Sequence, residues 1–153
     1  MSFIIQGNHR GKVLATDSAE DNKYGRIKVE VFPYLVSTQT ASQLGADETG
    51  MKIEDIPWAV PAYPLTCGSG EGYGFFSVPE IGSSVWVFFE AGNVYQPVYF
   101  AEAPTGIHGL PNKRLTNYPD TLVIQTVKGD SIVIDKVSGG IKLESHSGSF
   151  IDL

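Results

Sequence analysis

The stretch from Cys67 to Gly74 is the first place in this chain where residue types and spacing could support ligand chemistry. Glycine occupies every second position, at Gly68, Gly70, Gly72 and Gly74. Phosphate-binding glycine loops lead into a helix whose first amides face the anion. Here the glycines carry Glu71 between them and lead into 75–78, which has the composition of a strand. The pattern therefore predicts a flexible β-loop and not a phosphate site.

Three pairs of adjacent acidic residues offer carboxylates for acid–base chemistry. Glycoside hydrolysis needs two carboxylates that face each other across a cleft. These pairs are neighbours in sequence and lie in predicted loops, which favours solvated charges: Glu20-Asp21, Asp47-Glu48 and Glu54-Asp55. The segment 17–22 also lacks the glycine and the final glutamate of a calcium-binding loop.

Nucleophilic catalysis would need a serine or cysteine beside a base and an orienting acid. The single cysteine, Cys67, excludes an internal disulfide, and no Cys/His cluster has zinc-ligand spacing. His9, His108 and His146 fall in an N-terminal arm, a linker and a turn, without a motif that joins them. His146 could meet copies of itself on a symmetry axis, although turn residues usually face outward. We predict no catalytic residue, no cofactor and no metal, and therefore no enzyme.

The most regular pattern lies at the end of the chain and is structural. Four aliphatic-x-aliphatic triplets follow one another at intervals of ten, nine and ten residues, with Gly129, Gly140 and Gly148 between them. Residues two apart share one face of a strand, and glycine allows the positive φ of a tight turn. The triplets are Leu122/Ile124, Ile132/Ile134, Ile141/Leu143 and Ile151/Leu153.

A repeat with so narrow an apolar face cannot enclose a core by itself. Three copies wound around a shared axis would bury the eight aliphatic side chains and leave the charged residues outside. The segment 120–153 is therefore predicted to form a short trimeric intertwined β-helix, the base of a needle. Its trimer interface would consist of those eight residues.

Composition limits the possible partners. The 153 residues have a formal charge of −6 and a pI near 4.9, which disfavours nucleic acid because that affinity depends largely on Lys and Arg. The N-terminal segment 3–5 is too short for a signal peptide, and the longest apolar run, 85–89, is far shorter than a membrane span.

The first two thirds of the sequence predict an all-β domain. Frequent glycine and proline separate short β-favouring runs. Five strands are predicted, at 11–16 (Val13 and Ala15 inward), 25–31, 74–78, 84–90 and 96–101. The interruption 37–55 is either an irregular excursion or holds a short helix near 42–44. Five short strands with one long interruption indicate an OB-fold barrel over residues 1–103, followed by a linker over 104–119.

Strand 84–90 is apolar on both faces. Val85, Val87 and Phe89 share one face, so Trp86 and Phe88 lie on the other. Either the chain's own excursion 37–55 covers this pair, or a neighbouring protomer or another protein does. Trp58 is predicted to plug the barrel.

These motifs together resemble a known family. The order Gly25-Arg26-Ile27-Lys28-Val29, Pro57-Trp58, the segment 76–92 and Gln96-Pro97-Val98 is similar to the N-terminal OB domain of contractile-tail phage spike proteins. That family includes baseplate assembly protein V, the OB domain of tail-associated lysozymes and the VgrG spikes of type VI secretion. The segment 129–135 resembles the first rung of their trimeric β-helix.

The resemblance implies a homotrimeric central spike of a contractile tail baseplate. It would attach under the tail hub protein, and either that protein or a neighbouring protomer would contact Trp86 and Phe88. It would puncture the target envelope through transient contact, and lie in the virion after synthesis in the host cytoplasm. Only the linker 104–119 stands where lysozyme-bearing relatives insert a catalytic domain, and the iron-binding His-x-His motif of spike tips is missing. The end at Leu153 implies a short needle or one capped by a separate tip protein, unless the chain continues.

Other functions remain as alternatives. An OB barrel could bind single-stranded nucleic acid, with Tyr73, Phe75 and Phe76 as stacking platforms, although the acidity argues against it. A type VI secretion-like spike module is a second alternative. An envelope-degrading enzyme is a third, and the sequence offers no site for it.

Overall fold

The computed structural model describes residues 4–17, 23–45, 50–65 and 68–153. Glu20-Asp21, Asp47-Glu48 and Cys67 lie outside the described residues, as does the side chain of His108. The chain divides into two compact units, Met1–Thr105 and Gly106–Leu153.

The first unit is a closed five-stranded barrel. Its strands are β1 (His9–Thr16), β2 (Ile27–Glu30), β3 (Trp58–Pro61), β4 (Ser84–Phe89) and β5 (Pro97–Glu102). They follow one another around the barrel in the order β1-β2-β3-β5-β4. All neighbouring pairs are antiparallel except β3 and β5, which run parallel. The prediction of an all-β, OB-like barrel is confirmed.

The barrel interior is filled by the alternating residues of β2 and β4. Ile27 and Val29 are fully buried, and Val85, Val87 and Phe89 pack with them in one cluster. Gly11 of β1 lies against this core so closely that a Cβ atom there would stand 2.5 Å from Cγ2 of Val29. Real Cβ contacts are never that short. Position 11 must therefore be glycine for β1 to pass the core at this distance.

One predicted strand was wrong. The segment 74–78 forms no strand in the structure, and the third strand of the barrel is β3, which pairs with β2 through Ile27 and Ala59. The β-favouring aromatic residues at 75 and 76 suggested a strand, but Gly74 has φ +135° and Pro79 cannot donate to a ladder. The segment therefore runs through a loop.

Trp58 does not plug the barrel, and that prediction was wrong as well. Ala59 is the fully buried residue of β3, so the period of two places Trp58 outside. There its ring is half-buried, with Lys28 Nζ 4.5 Å and the Arg26 guanidinium 5.2 Å from the ring centroid. Attraction between a cation and an aromatic face explains this outer position.

A β-bulge alters the inward set of β1. Val13 is fully buried as predicted, but the register with β2 shifts between Val13 and Ala15. Leu14 packs against the core instead, and Ala15 is only half-buried. The prediction of Ala15 as an inward residue was wrong because one extra residue reverses the faces of a strand.

The connection from β2 to β3 contains helix α1 (Thr38–Gln43) and a 3-10 turn, Ile53–Asp55. Ser37 caps the helix, since its Oγ accepts a hydrogen bond from the Thr40 N–H at 3.3 Å. The Glu30 carboxylate accepts both the N–H and the O–H of Ser37 at 2.8 Å. These contacts fasten the helix to the end of β2.

The second unit is a four-stranded antiparallel sheet in the order β6-β7-β8-β9. Its strands are β6 (Thr121–Gln125), β7 (Ser131–Asp135), β8 (Ile141–Glu144) and β9 (Phe150–Asp152). Gly129, Gly140 and Gly148 lie in the turns with φ of +101°, +105° and +91°, which confirms the predicted turns. Winding of this segment with two other copies remains a prediction.

The segment 104–119, predicted as a linker, contains two 3-10 turns, Ile107–Gly109 and Asn112–Leu115. Within the described parts of the chain, no helix has the length and apolar character needed to cross a membrane.

Candidate functional site

The eight aliphatic residues of the repeat lie on one face of the second sheet. Strand pairing places them in two rows that cross all four strands, because directly paired residues point to the same side. In one row, Leu122 pairs with Ile134 and Ile134 pairs with Ile141. The row ends at Leu153, which exchanges two backbone hydrogen bonds with Ile141. The other follows Ile124, Ile132, Leu143 and Ile151.

This face is open in the single chain. Ile132 and Leu143, at its centre, each retain 38% of their surface exposed, whereas Val29 in the barrel retains none. Of the eight side chains, seven are exposed and Ile134 is half-buried. Large contiguous apolar faces of this kind mark interaction surfaces in soluble proteins.

The opposite face of the same sheet carries charged side chains and is partly covered by the segment that precedes β6. Lys113, from the segment that precedes β6, donates to Ser131 Oγ at 2.8 Å and lies 3.0 Å from Glu144 Oε2. Lys142 approaches the same carboxylate at 3.1 Å, and its ammonium lies 4.6 Å from the Phe150 ring centroid. These cations lower the pKa of Glu144. The sheet therefore has one face partly covered by its own chain and one apolar face that its own strands leave open.

The turns at one end of the sheet are held together by Asp130. Its Oδ1 accepts hydrogen bonds from the backbone N–H of His146 at 2.9 Å and lies 2.9 Å from His146 Nδ1. Thr126 donates to Oδ2 at 3.2 Å. Asp130 thus joins the β6–β7 turn to the β8–β9 turn. His146 lies in the latter turn with this partner, and its placement on a three-fold axis remains untested.

Acid is expected to weaken this connection. Hydrogen bonds from His146 and Thr126 lower the pKa of Asp130 from 3.8 to about 2. A carboxyl whose pKa is lowered by folding stabilises the fold fully above its unfolded pKa, and that stability is lost as the pH falls from about 4 through about 2. We expect the thermal midpoint of the sheet to fall over this range. Asp130→Asn should reduce the dependence of the thermal midpoint on pH. An equal dependence in both proteins would contradict this role of Asp130.

Trp86 and Phe88 lie on the outer face of β4, as predicted, and both are half-buried. The Arg10 guanidinium stands 4.9 Å from the Trp86 ring centroid, and the Phe100 ring lies 5.9 Å from that of Phe88. The contacts come from β1 and β5 of the same barrel. The role of this pair in binding a protomer or hub protein remains a prediction.

The other candidate residues that the structure describes are not brought together into a catalytic arrangement. Tyr73, Phe75 and Phe76 are exposed in the loop after β3, where Phe75 and Phe76 contact the Tyr63 ring at 5.7 and 6.1 Å. His9 packs against Tyr34 and Phe89 in the barrel wall. Glu54 and Asp55 are exposed in the 3-10 turn. Among the described residues, no three His, Cys, Asp or Glu side chains form a group that could hold a metal ion.

Some residues of the site had no local signal. Lys113 lies in a segment with little apolar periodicity, and its contact with the sheet depends on how the chain folds back. Val60 and Phe100 share the outer barrel surface with Trp86 and Phe88, as their pairing through β5 shows.

Comparison with known proteins gives one family. Residues 9–102 match the family model described as the type VI secretion system/phage-baseplate injector OB domain. The match spans all five strands of the barrel. A search of curated proteins finds no match for the chain.

Proposed function

The chain belongs to the type VI secretion system and phage-baseplate injector OB-domain family, and on that premise we propose that it forms the homotrimeric central spike, or spike base, of a contractile tail baseplate. The family implies a structural role, a place in the tail baseplate and association with other baseplate components. Trimer formation, attachment under the hub protein and puncture of the target envelope are the parts that we propose.

The observation that carries this proposal is the open aliphatic face of the second sheet. Two rows of four aliphatic side chains lie on one side, and Lys113 contacts the other. At about 3.4 Å per residue the two rows stand about 7 Å apart, and strands about 4.8 Å apart give the face a height of about 14 Å. Three such narrow faces directed at one axis would enclose a thin, dry column.

This arrangement suits a mechanical role. Burial of a Leu or Ile side chain contributes about 1.5–3 kcal/mol, so the eight aliphatic residues hold the three chains together around the axis. The polar faces, with Glu144 and Lys142, would remain on the outside in water. A rigid, water-soluble point of this kind would transmit the force of sheath contraction to a small area of the envelope.

The mass of the full chain in solution tests the proposal. A trimer has three times the chain mass of 16.6 kDa, about 50 kDa. We expect light scattering to give this value at micromolar concentration. A mass of 16.6 kDa at the same concentration would contradict the trimer and, with it, the spike.

The family description covers two kinds of injection machine. A phage tail and a type VI-like apparatus both drive a spike through an envelope, and the same trimer would serve in either. The proposed alternative is therefore a type VI secretion-like spike module with the same structure and a different target cell.

A further inference from the structure

Charged residues border the two aliphatic rows where the strands of the second sheet end. Asp130 lies two positions before the first isoleucine of β7, and Lys136 lies two positions after the last. Backbone hydrogen bonds extend the β6–β7 ladder by one pair at each end. The Thr126 N–H donates to the Asp130 carbonyl at 2.8 Å, and the Lys136 N–H donates to the Asp120 carbonyl at 2.9 Å. Because residues two apart share a face, Asp130 and Lys136 lie on the apolar side, one at each border.

The cavity on this side of the sheet supports the same placement. Asp130 and Thr126 line one concavity together with Ile124 and Ile132 of the second aliphatic row. The carboxylate therefore stands beside the aliphatic side chains and not behind them.

Both charged side chains are accessible in the single chain. The side chain of Asp130 is 45% exposed and lies beside His146, and that of Lys136 is 52% exposed. Lys136 Nζ donates to the Pro119 carbonyl at 3.2 Å and stands 3.9 Å from Asp120 Oδ1, which is longer than a hydrogen bond. An ammonium group has three donors, so Lys136 can also hold a second carboxylate.

A cyclic trimer brings the two borders together. In such an arrangement each copy presents one border of its face to the opposite border of the next copy. With strands that run around the axis, rotation leaves each strand at its own height. Asp130 directly precedes β7 and Lys136 directly follows it. The start of β7 in one copy therefore meets the end of β7 in the next at the same height.

We propose that Lys136 of one copy and Asp130 of the next form an ion pair at each of the three corners of the trimer. The charges at a corner then alternate in the order Asp120, Lys136, Asp130 and, when protonated, His146. A shift of one strand along the axis would still let aliphatic side chains meet, but it would move Lys136 about 4.8 Å from Asp130. The pair therefore fixes the axial register of the three copies. This inference rests on the trimer of the proposed function.

Carbodiimide cross-linking of the full-length trimer tests the contact. The reagent joins a Lys amine to a carboxylate that touches it, and mass spectrometry of the digest identifies the pair. Asp130 and Lys136 lie at opposite ends of β7, about 20 Å apart within one chain, so an amide between them forms only between copies. We expect this amide together with the one between Lys136 and Asp120, which a single chain allows.

Charge variants measure what the pair contributes. Lys136→Glu places like charges at each corner and should raise the dissociation constant of the trimer about 10-fold at low salt. The effect should shrink as salt screens the charges. Light scattering over a dilution series in moderate urea measures this constant.

Two control variants separate the corner from other effects. Lys52→Glu makes the same change of charge in the first unit, where the Lys52 side chain is 71% exposed, and should leave the constant unchanged. Asp120→Asn removes the partner of Lys136 within the chain and should also leave it unchanged. Thermal unfolding of each variant checks that both units remain folded.

Each contrary result has its own meaning. A trimer that yields the amide between Lys136 and Asp120 but none between Lys136 and Asp130 would overturn the corner contact and leave the spike proposal standing. Equal weakening by Lys136→Glu and Lys52→Glu would overturn it as well, since net charge would then explain the loss. A native mass of 16.6 kDa would overturn the spike and the corner contact together.

Discussion

Ile132→Asp is expected to leave the chain monomeric in solution. Ile132 lies near the centre of the open face, where it pairs with Ile124 on one side and Leu143 on the other. In a trimer the substitution would place three carboxylates around one axis. Removing an unpaired charge from water costs several kcal/mol even after relaxation. The loss of trimer should therefore be complete at micromolar concentration, as measured by light scattering.

Val127→Asp is the matched control. Val127 lies in the β6–β7 turn of the same sheet and is 79% exposed, so the same new charge should leave the mass unchanged. A trimer that persists in Ile132→Asp would refute the apolar face as the interface. Equal dissociation of both variants would show that net charge, and not this face, governs assembly.

The second sheet was largely predictable because its signal is local. Residues two positions apart, such as Ile132 and Ile134, lie on one face of a strand. Glycine between the triplets allows the turns, so the two aliphatic rows follow from short-range geometry. The cover on the other face was not predictable. Lys113 reaches Ser131 and Glu144, 18 and 31 positions later in the chain, through a fold-back that no periodicity encodes.

The barrel shows the same division between local and non-local information. Alternation in β4 predicted its buried set correctly, since Val85, Val87 and Phe89 all lie in the core. The third strand was misplaced because aromatic residues at 75 and 76 favour a strand locally, while β3 is a four-residue strand defined by pairing with β2 and β5. The bulge after Val13 is a shift in the pairing register of β1 with β2, and the composition of a strand does not reveal its register.

The outer barrel surface illustrates why candidate sites are harder to predict than folds. Trp86 and Phe88 were found because both faces of one strand are apolar. Val60 and Phe100 join them only through β5, and the pairing of β3 with β5 is parallel and joins positions 38 residues apart.

Truncation after Thr105 is expected to give a monomer that keeps the folded barrel. The first unit ends at this residue, and every member of its buried cluster lies between Ile5 and Tyr99. The cut preserves the hydrogen bond from the Ala103 N–H to the Ser84 carbonyl and both carbonyl partners of Arg10.

Circular dichroism should show a cooperative β-barrel transition close to the one that the full chain gives for this unit, and light scattering should show a single copy. The physical reason is that burial in the barrel is complete within one chain, whereas the aliphatic rows from Leu122 to Leu153 remain open without partners. Trimers that survive the truncation would move the assembly interface to the barrel. An unfolded product would show instead that the barrel depends on the sheet that follows it.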